Sequence, residues 1–172
     1  NSNRTSDARQ NGGKMKALVV YDSVFGNTEK VAQAIKQALQ TGAETELVRV
    51  TELAPAQLDG LDLLVVGSPT RGFKPMPTIT SWYGALPPNA LSGIKVATFD
   101  TRILFEDASP RILKRMIKWF GYAAEPMAKA LQAKGGILAA PPVGLGIVDS
   151  EGPLKEGELE RAVDWAMQLL AD

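Results

Sequence analysis

Residues 15–40, MKALVVYDSVFGNTEKVAQAIKQALQ, constrain the fold more than any other stretch of the chain. Ala17-Leu18-Val19-Val20-Tyr21 is apolar, short and β-branched, a strand rather than a helix. A turn follows over residues 22–27. Val31, Ile35, Ala38 and Leu39 then fall at i, i+4, i+7 and i+8, the apolar stripe of an amphipathic helix. A loop that runs straight into a helix N-terminus presents unpaired backbone N–H groups, which is an anion site. Hydrogen bonds from these amides and from the Ser23, Asn27 and Thr28 side chains are each worth about 1.5–3 kcal/mol to a charged acceptor. The helix dipole adds roughly 0.3–2 kcal/mol. Such a loop holds a phosphate without a cation, and no arginine or lysine lies between Asp22 and Thr28. The residues alone fit a second reading equally well, a tight βα turn in which Asn27 or Thr28 merely caps the helix.

The rest of the chain alternates strands and helices. Gly42 is a stop signal for the first helix. Residues 44–50 mix charge with β-branched side chains, which suits an edge strand. Residues 61–67 have a buried-strand pattern and end in Ser68-Pro69-Thr70-Arg71-Gly72-Phe73, a loop of turn formers. A short helix is expected over 78–83, before Pro87-Pro88. Residues 94–99 form a further strand and run into the polar Asp100-Thr101-Arg102. Ser109-Pro110 opens the next helix as N-cap and first helical residue. Ile112, Leu113, Met116, Ile117 and Phe120 supply its apolar face, and Gly121 closes it.

Another helix is expected over about 125–134, ended by Gly135-Gly136. The last strand, 137–140, is interrupted by Pro141-Pro142 and so belongs at an edge, with a broken continuation over 146–148. Gly144-Leu145-Gly146 reads as a turn. Leu159, Val163, Ala166, Met167 and Leu170 mark the final helix. Five strands alternating with helices imply an α/β fold, a parallel sheet with helices on both faces. The order 2-1-3-4-5 puts the two poorest strands at its edges. In that order the loops 23–28, 68–73 and 100–105 converge at the carboxyl ends of neighbouring strands, where such sheets bind ligands.

Composition removes several classes of function. The chain has neither cysteine nor histidine. That excludes disulfides, thiolate nucleophiles, the usual zinc and iron–sulfur sites, and any catalytic triad built on imidazole. Redox chemistry would have to come from a bound organic cofactor. Lys and Arg number 19 against 19 Asp and Glu, so bulk attraction to nucleic acid is not indicated. There is no G-x-x-x-x-G-K-[ST], and no G-x-G-x-x-G follows the first strand. No apolar run approaches the roughly 20 residues of a membrane span. Residues 1–14 lack the apolar centre of a signal peptide. They read as a disordered extension or cloning remnant ahead of one domain over 15–172, and a cytoplasmic location is expected.

The SVFGNTEKVAQAI core of the first βα unit closely resembles the FMN-binding signature of the flavodoxin family. Ser23, Gly26 and Thr28 match its usual (T/S)-x-(T/S)-G-x-T loop, while Phe25 stands in for the middle hydroxyl residue. LLVVGSPTRG (63–72) resembles the family's second flavin loop and VATFDT (96–101) its third. The resemblance implies a flavodoxin-like αβα sandwich and non-covalently bound FMN, with the phosphate at the first loop. The cofactor-contacting residues it implies are Ser23, Val24, Phe25, Gly26, Asn27 and Thr28, then Ser68, Pro69, Thr70, Arg71, Gly72 and Phe73, then Asp100, Thr101 and Arg102. Asp100 is expected to meet the flavin's polar edge through its backbone, and Gly72 to offer a carbonyl to the reduced flavin's N5–H. Family members commonly stack a tryptophan or tyrosine on the ring; Phe73 and Phe105 are the candidates here.

The implied function is electron transfer to a redox partner protein or a small-molecule acceptor. The alternative is an FMN-dependent NAD(P)H:quinone oxidoreductase on the same fold, for which Arg71 and Arg102 would meet an anionic substrate or an NADPH phosphate. A neutral chain weakens the steering that acidic carriers use toward basic partners. The helix after Pro110 carries Arg111, Lys114, Arg115 and Lys118 beside its apolar face. It would either dock an acidic partner or a membrane surface, or pack its apolar side and solvate its charges. Trp82, Trp119 and Trp165 read as packing or partner contacts.

Overall fold

The structure is a computed structural model that describes residues 13–104, 107–108 and 111–171, with the backbone alone at 119 and 120. Residues 1–12 of the expected extension, the stacking candidate Phe105 and the helix opening Ser109-Pro110 lie outside the described residues, as do the side chains of Trp119 and Phe120. The central strand is β1 (Met15–Tyr21), followed by α1 (Asn27–Leu39) and β2 (Ala43–Arg49). Two short 3-10 turns lead to β3 (Leu63–Pro69), α2 (Pro77–Ala85) and β4 (Lys95–Arg102). Then come α3 (Arg111–Phe120), α4 (Ala124–Ala133), β5 (Ile137–Leu138), β6 (Val143–Gly146) and α5 (Glu158–Leu169).

The sheet order is β2-β1-β3-β4-β5, all parallel, with β6 also paired to β4. β5 and β6 share one edge. Ile137 and Leu138 pair with Lys95 and Val96, and residues 143–146 pair with 99–102. Pro141 and Pro142 fall between them, where the missing N–H interrupts the ladder. The strand after the prolines runs over 143–146 and not over the expected 146–148, and the expected turn at Gly144-Leu145-Gly146 is corrected. A Cβ at Gly144 would run into the Arg102 guanidinium, and one at Gly146 into Leu104. These glycines let β6 lie close against the end of β4.

Alternation along the strands splits the core in two. Ala17, Val19, Tyr21, Leu63, Val65, Ala97 and Phe99 pack with α1 and α5 on one face. Leu18, Val20, Leu64, Val66 and Val96 pack with Ile79, Leu91, Met127 and Leu131 on the other. The stripe Val31, Ile35, Ala38 and Leu39 is buried as its spacing predicts. α5 departs from expectation: its buried residues include Ala162, Trp165, Ala166 and Leu169, while Leu159 and Met167 are exposed. Trp165 decides the rotation. Its ring meets Phe99 edge to face at 6.4 Å, and its Nε1–H donates to Pro141 O at 3.3 Å. An aromatic pair of this kind adds about 0.5–1.5 kcal/mol beyond burial.

Gly42 lies beyond the end of α1 and serves close packing, with the Leu170 side chain 3.2 Å from where its Cβ would be. Gly121 does close α3, with φ +72° and its N–H on Ile117 O at 2.7 Å. Among the described residues no helix is long and apolar enough to cross a membrane.

Gly67, central in β3, is covered by the Phe99 ring, which a Cβ would overlap. Gly67→Ala should therefore lose about 1–3 kcal/mol of stability by overpacking. Gly84→Ala, with nothing within 4 Å of its Cβ position, should be neutral or better. Urea unfolding of the two variants measures the contrast.

Candidate functional site

β1 ends at Tyr21, and the chain turns outward at Asp22, whose 5%-exposed carboxylate organises the loop. Asp22 Oδ1 accepts from Ser23 N at 2.8 Å and from Arg49 Nη1 at 2.6 Å, and Oδ2 accepts from the Thr78 hydroxyl. Arg49, at the end of β2, also donates to Ser23 O at 3.1 Å and lies over the Tyr21 ring at 5.1 Å. Ser23 Oγ accepts from Gly26 N at 3.1 Å, which tightens the turn. Gly26 is the N-cap of α1 at φ +90°, in the left-handed region, and no side chain caps the helix. Capping by Asn27 or Thr28 is thus absent.

Two side chains expected to face an anion are spent on holding loops together. Asn27 Nδ2 donates to Glu151 O at 2.8 Å. The buried Thr28 hydroxyl meets the Thr101 hydroxyl at 2.8 Å. The backbone N–H groups of Val24, Phe25, Asn27, Thr28 and Glu29 make no hydrogen bond among the described residues. The positive end of the α1 dipole lies behind them, an arrangement that suits an anion. Nothing lies within 4 Å of a Cβ position at Gly26, so the turn is open.

The second loop is a short hairpin. Arg71 and Lys74 exchange backbone hydrogen bonds at 2.9 and 3.1 Å across Gly72 and Phe73, with φ of +54° and +66°. Positive φ at both central residues is the two-residue turn that favours glycine, so Phe73 is held in a region bulky residues avoid. Ser68 is buried, accepting from Met76 N at 2.9 Å and donating to Pro69 O at 2.9 Å. Thr70 N donates to Thr101 O at 3.0 Å, and Thr70 Oγ1 accepts from Ala123 N at 3.0 Å. Arg71 is exposed, its guanidinium 5.4 Å from the Phe25 ring centre.

At the third loop the Asp100 carboxylate is fully buried. It takes Arg102 Nε and Nη2, both at 2.6 Å, and Ala124 N at 2.8 Å. Burial pushes this carboxyl upward from its ordinary value, opposed by the guanidinium and the Ala124 N–H. Asp100 and Thr70 together satisfy the first amides of α4, and the carboxylate also favours that helix dipole. Arg102 lies over the Tyr122 ring at 3.7 Å and is 12% exposed, so it is neither a solvated loop charge nor a surface pair.

Phe25, Thr70, Arg71, Gly72, Phe73 and Arg102 all border one cavity of about 530 Å³. Small-molecule sites commonly enclose about 300–1,000 Å³. Its other walls are Ile103, Leu113, Ile117, Tyr122, Ile147, Ser150 and Glu151, none of them foreseen as site residues. Ile147 to Glu151 follow β6, so recognising that strand would have added its loop to the site. Leu113 and Ile117 belong to a helix apolar enough to pass as core, and only the tertiary fold turns them toward the cavity. Asp100 and Thr101 stand behind the wall.

A parallel sheet between two helical layers, with a cavity and an open turn at the strand reversal, defines a doubly wound α/β fold. Residues 19–100 match the family model described as flavodoxin. That match spans just under half of the chain, and the fold is flavodoxin-like. It is similar to oxidised flavodoxin 1 from Bacillus cereus, with a TM-score of 0.70 and 18% identity over 90% of this chain and 97% of that one. A flavodoxin from the domain Archaea matches with a TM-score of 0.70 and 19% identity, over 91% and 96% of the two chains. A curated relative, an NAD(P)H dehydrogenase (quinone) of Methylocella silvestris, is 34% identical over 77 residues, covering 33% of this chain. The chain covers only 39% of that relative's length.

β6, which leads into the cavity wall at residues 147–151, is clamped by α5. Glu158 Oε2 accepts from Gly146 N at 2.6 Å and from Arg161 Nη2 at 2.7 Å, and Arg161 also donates to Gly144 O. Burial works against the Glu158 carboxylate, but the Arg161 and Gly146 hydrogen bonds outweigh it and hold its pKa below the ordinary value. A depressed folded pKa adds stability that is complete above the unfolded-state pKa and is lost as pH falls through the folded one. Glu158→Gln should therefore be less stable than the native chain at pH 7, and the gap should close on acidification through the carboxylate range. Thermal unfolding across pH 3–7 measures it, and a pH-independent gap would contradict the assignment.

Proposed function

We propose that the chain binds FMN non-covalently and transfers electrons. The observation that carries this reading is the open turn at Gly26, with five backbone N–H groups that have no partner among the described residues, beside a cavity lined by the second and third loops. Flavodoxin family proteins bind FMN. The turn fits the phosphate: Val24, Phe25, Asn27, Thr28 and Glu29 would offer backbone N–H groups, and the Ser23 hydroxyl has its proton free of the described hydrogen bonds. The cavity fits the ring, with Phe73 and Tyr122 on its walls and Gly72 at its lip. When bound, FMN supplies one- or two-electron chemistry. The protein's residues hold the phosphate, exclude water through Ile103, Leu113, Ile117 and Ile147, and fix the ring's polar edge beside the third loop. A cytoplasmic location, where nicotinamide reductant is available, goes with this reading.

A second reading is direct reduction of quinones by NAD(P)H. The apolar wall made by Leu113, Ile117, Ile103 and Ile147 supports it, because it offers a non-polar acceptor a surface beside the ring. The name of the Methylocella relative points the same way. Arg71, exposed at the cavity mouth, would serve an anionic donor, whereas Arg102 is engaged by Asp100.

Purified protein should be yellow or should quench the fluorescence of added FMN; failure of both overturns the proposal. Gly26→Val, forced into a left-handed conformation that costs about 1–2 kcal/mol, should weaken FMN binding by roughly tenfold. An anaerobic titration separates the two readings. A carrier's flavin is reduced by dithionite but not by NADPH alone, whereas a quinone reductase's flavin is reduced by NADPH directly.

A further inference from the structure

The described side chains of α3 present two apolar surfaces, one facing the cavity and one exposed. Leu113 and Ile117 face the cavity, and Ile117 is 6% exposed. Ile112 and Met116, one helical turn apart, lie on a different side and are 65% and 39% exposed. A core-packing helix does not leave an isoleucine and a methionine stacked in solvent at i, i+4. Arg111, Arg115 and Lys118 are exposed beside them, Lys114 is half-buried, and residues 111–120 contain no carboxylate. Charge and apolar exposure thus coincide on one short helix.

The exposed apolar residues continue around the cavity mouth. Phe25 (47% exposed) lines the cavity with Leu113, and Val24 (46%) is its neighbour in the first loop. Val148 (63%) directly follows the wall residue Ile147. Arg71 adds a further exposed cation over Phe25. Among the described residues Glu151 lines the same cavity, and Asp149 lies two residues before it in the exposed segment after β6. Overall the chain is neutral, so attraction to an anionic surface has to be local to this face.

We propose that α3 seats this face on an anionic lipid bilayer. Ile112 and Met116 enter the boundary between headgroups and acyl chains, while Arg111, Arg115 and Lys118 meet anionic headgroups. A helix with aliphatic side chains on one stripe, cations on its flank and low overall hydrophobicity has the chemistry of interfacial membrane binding. A bilayer is favoured over an acidic protein because the apolar side chains stand out from the helix instead of lining a groove that a partner side chain could fill. Seated this way, the cavity mouth opens toward the lipid interface, where non-polar acceptors such as quinones partition. That last consequence rests on the quinone reading; membrane binding itself does not.

Co-sedimentation of the purified full chain tests the proposal, with vesicles of phosphatidylcholine alone or mixed with phosphatidylglycerol, at low and high salt. The chain should bind the mixed vesicles, ignore the zwitterionic ones and be released by salt. Arg115→Gln/Lys118→Gln should lower partitioning roughly 25-fold, about fivefold per cation. Ile112→Glu/Met116→Glu should abolish it while leaving circular dichroism and FMN uptake unchanged. No binding to anionic vesicles overturns the proposal in favour of an acidic protein partner, and so does binding that survives the Ile112→Glu/Met116→Glu change. FMN uptake is read in the same samples, so a chain that ignores vesicles is distinguished from one that lacks a flavin site.

Discussion

Burial of β1 on both faces is the constraint on which the rest of the molecule depends. Val19 and Val20 are both fully buried but belong to different cores, one closed by α1 and α5 and the other by α2 and α4. Each such side chain contributes about 1.5–3 kcal/mol only if both helical layers are in place. With β2 on one side and β3 on the other, the chain leaves neighbouring strands toward opposite faces and opens a crevice at the end of β1. The first loop has nowhere to go but over that crevice. Asp22, tied to Arg49 from β2 and Thr78 from α2, holds it there.

Most polar side chains at the site hold other parts of the protein. Thr28 ties the first loop to Thr101, Thr70 and Asp100 satisfy the start of α4, and Asn27 ties the first loop to Glu151 in the segment after β6. What these bonds leave free is the backbone of the first turn. Donors fixed in this way need no reorganisation when an anion arrives, which is how a neutral turn can serve in place of a cation. The Asp100–Arg102 pair follows the same logic. Its charges are met inside the wall, so Arg102 presents a packed surface to the cavity more than an open positive charge.

None of the described side chains of α3 belongs to either core. Part of its apolar surface closes the cavity and part faces solvent beside a row of cations. A helix divided in this way couples the cavity mouth to whatever covers its outer stripe, so its position is a matter of function as well as stability.

Local pattern was enough to determine β1, α1, the strand–helix alternation of a parallel sheet and the three polar loops, because the periods of 2 and 3.6 and the turn formers of the first βα unit act over a few residues. The strand order agreed with the placing of the two poorest strands at the edges but was not fixed by spacing. It also marked Gly26 as the turn residue, since a helix entered directly from a loop leaves its amides unpaired whatever surrounds it. Tertiary structure decided the remainder. Trp165 turns α5 toward Phe99, and leucine or methionine spacing alone does not specify that rotation. β6 is a strand because its glycines let it approach Arg102, a contact between residues distant in sequence. The side chains of Asn27 and Thr28 look like ligand groups in a motif, yet their partners are Glu151 and Thr101. Which hydrogen bonds a polar side chain spends on its own protein depends on long-range neighbours, and only the folded chain brings those neighbours together.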